Sequence, residues 1–173
     1  MGDIMKKNLV TDKNAFSLRG DFFLFAHYKD GEKILVEYGC NIVTDNGLAL
    51  VVSILKGVET PFSSLAIGTG DESWDINPPV EDAETSALNN ELINLSIEMK
   101  YWDDVNGQFS ITPTNVLDIR AIADGSIIGD LREWGIKGGG SDILYNHAIH
   151  GKIPKTDDYN LEYIIRIYLE RKN

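Results

Sequence analysis

Three short turn signals constrain the fold of this chain more than any other feature of its sequence. Asp30-Gly31, Asn106-Gly107 and Asp124-Gly125 each lie between two stretches that are rich in apolar residues. These pairs favour type I′ hairpin turns, because both central residues need positive φ angles, which Asn, Asp and Gly tolerate. Hairpins join neighbouring antiparallel strands. The sequence therefore predicts an all-β, antiparallel fold in which each pair closes a hairpin.

The alternation of residue types supports these strands. Apolar and polar residues alternate over residues 91–102 and over residues 161–169, with the period of a half-buried strand. A helix is the alternative for the last segment, but its Ile and Tyr content favours a strand. Ile164 and Tyr168 interrupt the otherwise polar face of this strand. We therefore expect that face to be covered, and we treat both as candidate interface residues.

A single helix is predicted near residues 45–56. Thr44 or Asp45 can cap its start, because a short side-chain oxygen there accepts an unpaired backbone N–H. Gly57 can end it, since glycine adopts the left-handed conformation without a Cβ penalty. Four apolar residues have the spacing of one helix face: Leu48, Val51, Val52 and Leu55. We expect this face to pack into the strand-built core. The predicted fold is an antiparallel β-sandwich of roughly eight or nine strands with one inserted helix.

A tight turn and a long acidic loop follow the helix. Gly68 and Gly70 are candidate structural residues, predicted to let the backbone turn sharply after a buried strand. Residues 72–90 contain two adjacent prolines and several acidic residues, without the pattern of a strand. Long loops in compact domains tend to be functional or to form interfaces. This loop supplies further candidate interface residues: Trp74, Ile76, Pro78, Pro79 and Val80.

One acidic residue lies inside a predicted strand. Glu133 stands between Arg132 and Trp134, so in strand geometry it takes the opposite face from both. If Glu133 is buried, it must be paired or hydrogen-bonded, because an uncompensated buried charge is costly. Arg166 and the backbone of the Gly68–Gly70 turn are candidate partners, and an exposed Glu133 is the equal alternative. Glu133, Trp134 and Arg166 are therefore candidate structural residues, together with the four apolar residues of the helix.

The charge balance disfavours two classes of partner. The 173 residues include 16 Lys and Arg against 27 Asp and Glu, a formal net charge of −11. Such a surface repels phosphate backbones and anionic membranes, so we expect no nucleic-acid or membrane partner. The sequence has no signal-peptide pattern near residue 1 and no apolar run of membrane-spanning length. We expect a soluble protein that is made in a cytoplasm.

No residue pattern indicates catalysis, a cofactor or a metal. His147 and His150 are three apart in a predicted strand, so they face opposite sides and cannot share a metal ion without a bulge. The acidic clusters do not fit a calcium-binding EF-hand loop, and the glycine-rich segments lack the other residues of a phosphate-binding loop. Cys40 is the single cysteine, which excludes an internal disulfide. We predict no catalytic, cofactor-binding or metal-binding residues and no enzymatic activity.

Three separated segments occur in a distinctive order. Residues 41–48 read N-x-V-T-x-x-G-L and are followed by L-A-I-G-T-G at residues 65–70. R-E-W-G lies within residues 131–139, and residues 155–167 contain K-T, then L-E and I-R. In this order the segments resemble a family of bacteriophage tail-associated structural proteins. The resemblance spans roughly residues 38–170; Lys137 stands where the family prefers an aromatic residue.

The resemblance implies a virion structural protein from the tail, baseplate, collar or fibre-attachment region of a tailed bacteriophage. Its expected location is the virion, and the host cytoplasm during assembly. Its expected partners are other virion proteins and further copies of itself, in a ring or trimer. We expect residues 1–18 to form an N-terminal arm and residues 19–173 a single domain.

Two alternative functions remain open. The first is a carbohydrate-binding β-sandwich module that contacts the host surface, with Trp74, Trp102 or Trp134 as a stacking platform. The second is a hydrolase that acts on a cell-surface polymer.

Overall fold

The computed structural model describes residues 16–171, and antiparallel strands dominate it. Within this range, eleven strands form one antiparallel sheet and one α-helix is inserted after the second strand. The strands are β1 (Phe16–Tyr28), β2 (Lys33–Val43), β3 (Phe62–Gly68), β4 (Glu91–Ser96), β5 (Glu98–Asp103), β6 (Gln108–Ser110), β7 (Val116–Ala123), β8 (Gly129–Gly138), β9 (Ile143–Leu144), β10 (Asn146–Lys155) and β11 (Tyr159–Arg171). Helix α1 spans Asp45–Leu55, and a short 3₁₀ helix spans Glu72–Asp75. The all-β prediction is confirmed, with more strands than expected.

The sheet folds over so that its two halves pack face to face, as in a β-sandwich. One half contains β4, β3, β8 and β10, and the other contains β1, β11, β7, β5 and β6. Strand β2 joins them, because it pairs with β1 along most of its length and with β10 at Ile42 and Val43. Phe22 of β1 meets Trp134 of β8 edge to face, with ring centres 5.3 Å apart. Trp134 is completely buried in this shared core.

Two of the three predicted hairpins are correct. β1 pairs with β2 and β5 pairs with β6. The predicted type I′ turns are wrong, because only the glycine of each loop has a positive φ, Gly31 at +92° and Gly107 at +65°, whereas Asp30 and Asn106 do not. The third prediction is wrong. β7 pairs with β5 and β11, whereas β8 pairs with β3, β9 and β10. At Asp124-Gly125 the chain therefore crosses between the two halves of the sheet instead of closing a hairpin.

The segment predicted as one strand over residues 91–102 is divided at Ile97. Before this residue, β4 pairs with β3 in one half. After it, β5 pairs with β7 in the other half. The alternating pattern continues across the division because both pieces are strands, so the pattern alone did not show the change of pairing partner.

Helix α1 lies where it was predicted, but the predicted buried face is wrong. Leu48, Val52 and Leu55 are 48%, 64% and 83% exposed. The buried positions are Gly47 and Leu50, while Val51 is only partly buried. Residues 47, 50, 51 and 54 have the same spacing as the predicted face and lie one position earlier.

The contacts at the start of α1 explain which face is buried. The Thr44 hydroxyl accepts the Gly47 N–H at 2.9 Å and donates to the carbonyl of Leu144 at 2.6 Å. A Cβ at position 47 would overlap the carbonyl of Tyr145, so only glycine allows the helix to lie this close. Close docking at Gly47 turns that side of the helix inward. Gly57, at φ +74°, follows the helix as predicted.

The predicted N-terminal arm falls mostly outside the described residues. Its last three residues, 16–18, belong to β1, where Leu18 pairs with Leu169 of β11. The expected boundary at residue 18 therefore lies inside a strand of the sheet.

Candidate functional site

Residues 71–90, which we call the strap, cross the outer face of the half that contains β8 and β10. Leu88 of the strap packs with Ala66 and Leu144 in a small cluster separate from the main core. Ala66 lies between Leu65 and Ile67, which both point into the main core, so Ala66 points outward. The loop predicted over residues 72–90 is therefore a packed segment of the molecule, with an apolar contact of its own.

Glu133 holds the C-terminal end of the strap. Its carboxylate is completely buried and accepts the backbone N–H groups of Asn89 and Asn90, at 3.0 and 2.8 Å. His147 on β10 donates a third hydrogen bond through Nε2, at 3.0 Å. Burial alone would raise the pKa of Glu133, but the bonds from His147, Asn90 and Asn89 lower that pKa below its ordinary value of 4.5. Glu133 is therefore buried rather than exposed, and its three hydrogen-bond donors favour the ionised carboxylate.

The partners predicted for Glu133 are wrong in both cases. Arg166 binds Asp118, from Nε to the carboxylate at 3.1 Å, on the opposite half of the sheet. Gly68 does not bond to Glu133 but leaves space for it, because a Cβ at position 68 would lie 2.7 Å from the carboxylate oxygen. Gly70 has φ +57°, which gives the predicted sharp turn before the strap. Both glycines therefore stand where the strap leaves and rejoins the sheet.

Asp75 holds the N-terminal part of the strap. The Arg132 guanidinium donates to both Asp75 oxygens, from Nε at 2.8 Å and Nη2 at 3.1 Å, and Lys152 Nζ approaches at 2.8 Å. Arg132 also donates to the carbonyl of Thr69 at 3.0 Å, and only 4% of its side chain is exposed. The bonds from Arg132 and Lys152 hold the pKa of Asp75 well below its usual range. A nearly buried guanidinium is thus paired bidentately with the strap.

Two further bonds hold the middle of the strap. Glu81 accepts the Ile149 N–H at 2.8 Å, and the carbonyl of Ala83 accepts the Asp45 N–H at 2.8 Å. The second bond joins the strap to the first turn of α1. The strap is consequently attached to the sheet at both ends and near its middle.

A cleft of about 760 Å³ lies between the strap and β10. Trp74, Pro78 and Pro79 form its apolar wall, and residues 149–152 lie opposite. The ladder between β8 and β10 is interrupted from Ile149 to Ile153, so β10 bulges at this point. The expectation that His147 and His150 face opposite sides holds only for a strand without a bulge and is wrong here. Both lie on the strap side of β10: His147 bonds to Glu133, and His150 lines the cleft.

The tip of the strap presents apolar residues to solvent. Ile76 and Val80 are 84% and 91% exposed, and Pro78 and Pro79 are also exposed. Trp74 differs from these predicted interface residues, because it is partly buried and packs against Gly70. We call Ile76, Pro78, Pro79 and Val80 the strap tip.

A second exposed apolar surface lies on α1. Leu48, Val52 and Leu55 project to solvent, followed by Val58, which is 65% exposed. We call these four residues the outer helix surface. Because Leu50 is buried on the other side, α1 is apolar on both faces. A helix that is apolar all round is normally covered on all sides.

The two interface candidates on the last strand are wrong, because the chain itself buries them. Ile164 and Tyr168 are 5% and 7% exposed. The Arg19 guanidinium lies 4.0 Å from the centre of the Tyr168 ring, and the Arg166 guanidinium lies 3.6 Å from the centre of the Trp102 ring. The expectation that this face is covered was correct, but the cover is intramolecular.

Several residues of the strap contacts were not identified from the sequence. Asp75, Glu81 and Lys152 are ordinary charged residues in the sequence, and Asn89 and Asn90 act through backbone groups. One signal was present: Arg132 occurs in an apolar strand, and a buried Arg needs a carboxylate partner. The acidic loop over residues 72–90 contains several carboxylates that could act as this partner.

The described residues show neither a metal centre nor a membrane helix. Within residues 16–171, no three side chains of His, Cys, Asp or Glu are grouped to hold a metal ion. None of the helices in this range is long and apolar enough to cross a membrane. In comparisons with protein families, curated proteins and solved structures, nothing matched the chain.

Proposed function

We propose that this protein is a virion structural subunit of a tailed bacteriophage and acts by packing against other virion proteins in the tail, baseplate, collar or fibre-attachment region. The observation that carries an assembly role is the outer helix surface, on a helix whose other face already lies in the core. The order of sequence segments that resembles phage tail-associated proteins supports the phage context.

The outer helix surface has the chemistry of a protein contact. Leu48, Val52 and Leu55 are separated by four and three residues, so they form one continuous stripe along α1. Fully burying a Leu or Val side chain contributes about 1.5–3 kcal/mol. Exposed apolar patches of this kind mark contact surfaces on soluble proteins. A partner that covers the stripe therefore gains binding energy without rearranging the helix.

The strap tip is a second contact surface held in place before binding. Its apolar residues lie between the bonds of Asp75 to Arg132 and of Glu81 to Ile149. A loop held in this way loses less conformational entropy on binding than a free loop. Two separate surfaces suit a subunit that contacts two neighbours, as in a ring or trimer. The net charge of −11 favours solubility before assembly and disfavours nucleic acid as a partner.

The test is incorporation into particles. The Val52→Asp/Leu55→Asp variant places two charges on the outer helix surface, and Ile111→Asp is the matched control because Ile111 is fully exposed elsewhere. Both variants should melt like the unchanged protein. Mass spectrometry of purified virions should show at least about tenfold less of the helix variant and normal amounts of the control. Normal incorporation of the helix variant would refute the assembly role of α1.

A further inference from the structure

We propose that the cleft between the strap and the β10 bulge binds a neutral saccharide. This inference concerns a different surface from the outer helix surface and does not depend on the assembly role of α1; the cleft shares Pro78 and Pro79 with the strap tip. At about 760 Å³, the cleft lies in the size range typical of ligand sites. Gly151 in the bulge has no side chain, and the nearest atom to an added Cβ would be Glu37 Oε2 at 3.6 Å. A ligand can therefore approach the backbone closely there.

His150 lines the cleft, and its ring carries a hydrogen-bond acceptor without a partner within residues 16–171. Its Nδ1–H donates to the carbonyl of Gly151 at 2.8 Å, which leaves Nε2 with a free lone pair. This Nε2 is buried and has no hydrogen-bond partner among the described residues, although buried polar atoms usually have one. Burial lowers the pKa of His150, so the ring is neutral near pH 7. Because Nε2 is enclosed, a ligand hydroxyl can donate to it only after the His150 side chain turns towards the cleft.

The opposite wall offers apolar contact. Trp74 lines the cleft beside Pro78 and Pro79, and its indole packs against Gly70 at the base of the strap. A large, amphipathic ring fixed in this way provides contact area at low entropic cost. A pyranose ring combines an apolar C–H face, which suits the indole, with hydroxyl groups, which suit acceptors such as the second carboxylate oxygen of Glu81.

The charges of the cleft favour a neutral ligand. Two carboxylates, Asp75 and Glu81, face two cations, Arg132 and Lys152, so the lining has no net charge. Both cations already pair with Asp75, which offsets their charge towards an anionic ligand. Glu81 accepts the Ile149 N–H through Oε1 and can accept a ligand hydroxyl through its other oxygen. Hydroxyl donors therefore match the cleft better than phosphates or carboxylates do.

The surroundings of the three tryptophans also favour this cleft as the saccharide site. Trp134 is completely buried and Trp102 is stacked on Arg166, so neither can act as a stacking platform without rearrangement. Trp74 is the one of the three that lines the cleft. Of the three stacking platforms considered in the sequence analysis, Trp74 is therefore the one that fits a carbohydrate-binding role.

The experiment uses the full chain and a panel of methyl glycosides of glucose, galactose, mannose, rhamnose and N-acetylglucosamine. Saturation-transfer NMR and titration should detect at least one of them. Trp74→Ala should weaken that affinity at least about tenfold, whereas the control Trp102→Ala should leave it unchanged. As a check that does not need a variant, the bound glycoside should shift the indole N–H signal of Trp74 and not that of Trp102.

Three results would overturn the proposal. The first is that no glycoside of the panel binds. The second is that binding is equal in Trp74→Ala and in the unchanged protein. The third is that N-acetyl-lysine methylamide binds and the glycosides do not, which would identify a site for basic side chains instead.

Discussion

Replacing Glu133 by Gln tests whether the buried carboxylate holds the strap to the sheet. The substitution keeps the shape of the side chain and removes its charge. Glu133 accepts three hydrogen bonds, from Asn89, Asn90 and His147, at 2.8–3.0 Å. A Gln amide has one acceptor oxygen, and its NH₂ group would face at least one of these donors. At about 1.5–3 kcal/mol for each bond to a charged group, losing one or two bonds should cost about 1.5–6 kcal/mol.

The assay is urea unfolding followed by tryptophan fluorescence, with Glu98→Gln as the control. Glu98 is exposed, so its substitution should change the free energy of unfolding by less than about 0.5 kcal/mol. Hydrogen exchange at the Asn89 and Asn90 amides should also become faster in Glu133→Gln, because both lose a charged acceptor. A cost below about 0.5 kcal/mol together with unchanged exchange would refute the reasoning.

The pH dependence gives a second check on the same carboxylate. The pKa of Glu133 is lowered in the folded protein relative to its ordinary value of 4.5. A lowered pKa means that the stabilisation is fully present above the unfolded-state value and is lost as the pH falls through the folded-state value. The difference in stability between the unchanged protein and Glu133→Gln should therefore stay constant from about pH 6 to 7 and shrink only below about pH 4.5. A difference that shrinks near neutral pH would contradict an ionised, hydrogen-bonded Glu133.

Three other predictions follow from the packing of α1 and the strap. Leu50→Ala should cost about 2–5 kcal/mol in urea unfolding because Leu50 is buried, whereas Leu55→Ala should stay within about 0.5 kcal/mol because Leu55 is 83% exposed; equal costs would show that the assigned face is incorrect. Gly47→Ala should lower stability by about 1–3 kcal/mol despite the better helix propensity of Ala, since the added Cβ meets backbone, and a more stable variant would contradict this close contact. Asp75→Asn should make the strap more sensitive to limited proteolysis, because Arg132 loses its charged partner, and an unchanged cleavage rate would show that this pair does not hold the strap.

Some properties of helix α1 could be predicted from the sequence, and others could not. Its cap, its length and its final glycine are local properties, and the structure agrees with them at Thr44, Asp45–Leu55 and Gly57. Its orientation is not local, since both faces carry apolar residues with the same spacing. The backbone carbonyl of Tyr145 selects the face that contains Gly47, and this contact joins residues almost a hundred positions apart.

The hairpins follow the same rule. Asp30-Gly31 and Asn106-Gly107 connect strands that pair with each other, so the predicted pairing is correct there even though neither turn is of type I′. Asp124-Gly125 has the same turn preference, yet the strands on either side pair with strands far away in the sequence. Turn chemistry determines that the chain reverses direction, whereas strand pairing depends on which apolar faces the core brings together.

The candidate site depended most on tertiary structure. Local sequence patterns predicted the strand content, the presence of one helix, the exposed apolar residues at the strap tip and the need of a buried Glu133 for partners. The partners themselves became known from the folded chain, in which Asn89, Asn90 and His147 bind Glu133 and Arg132 pairs with Asp75. The physical reason is that alternation and propensity act over a few residues. A buried charge, in contrast, is satisfied by whichever groups the folded chain places within about 3 Å of it.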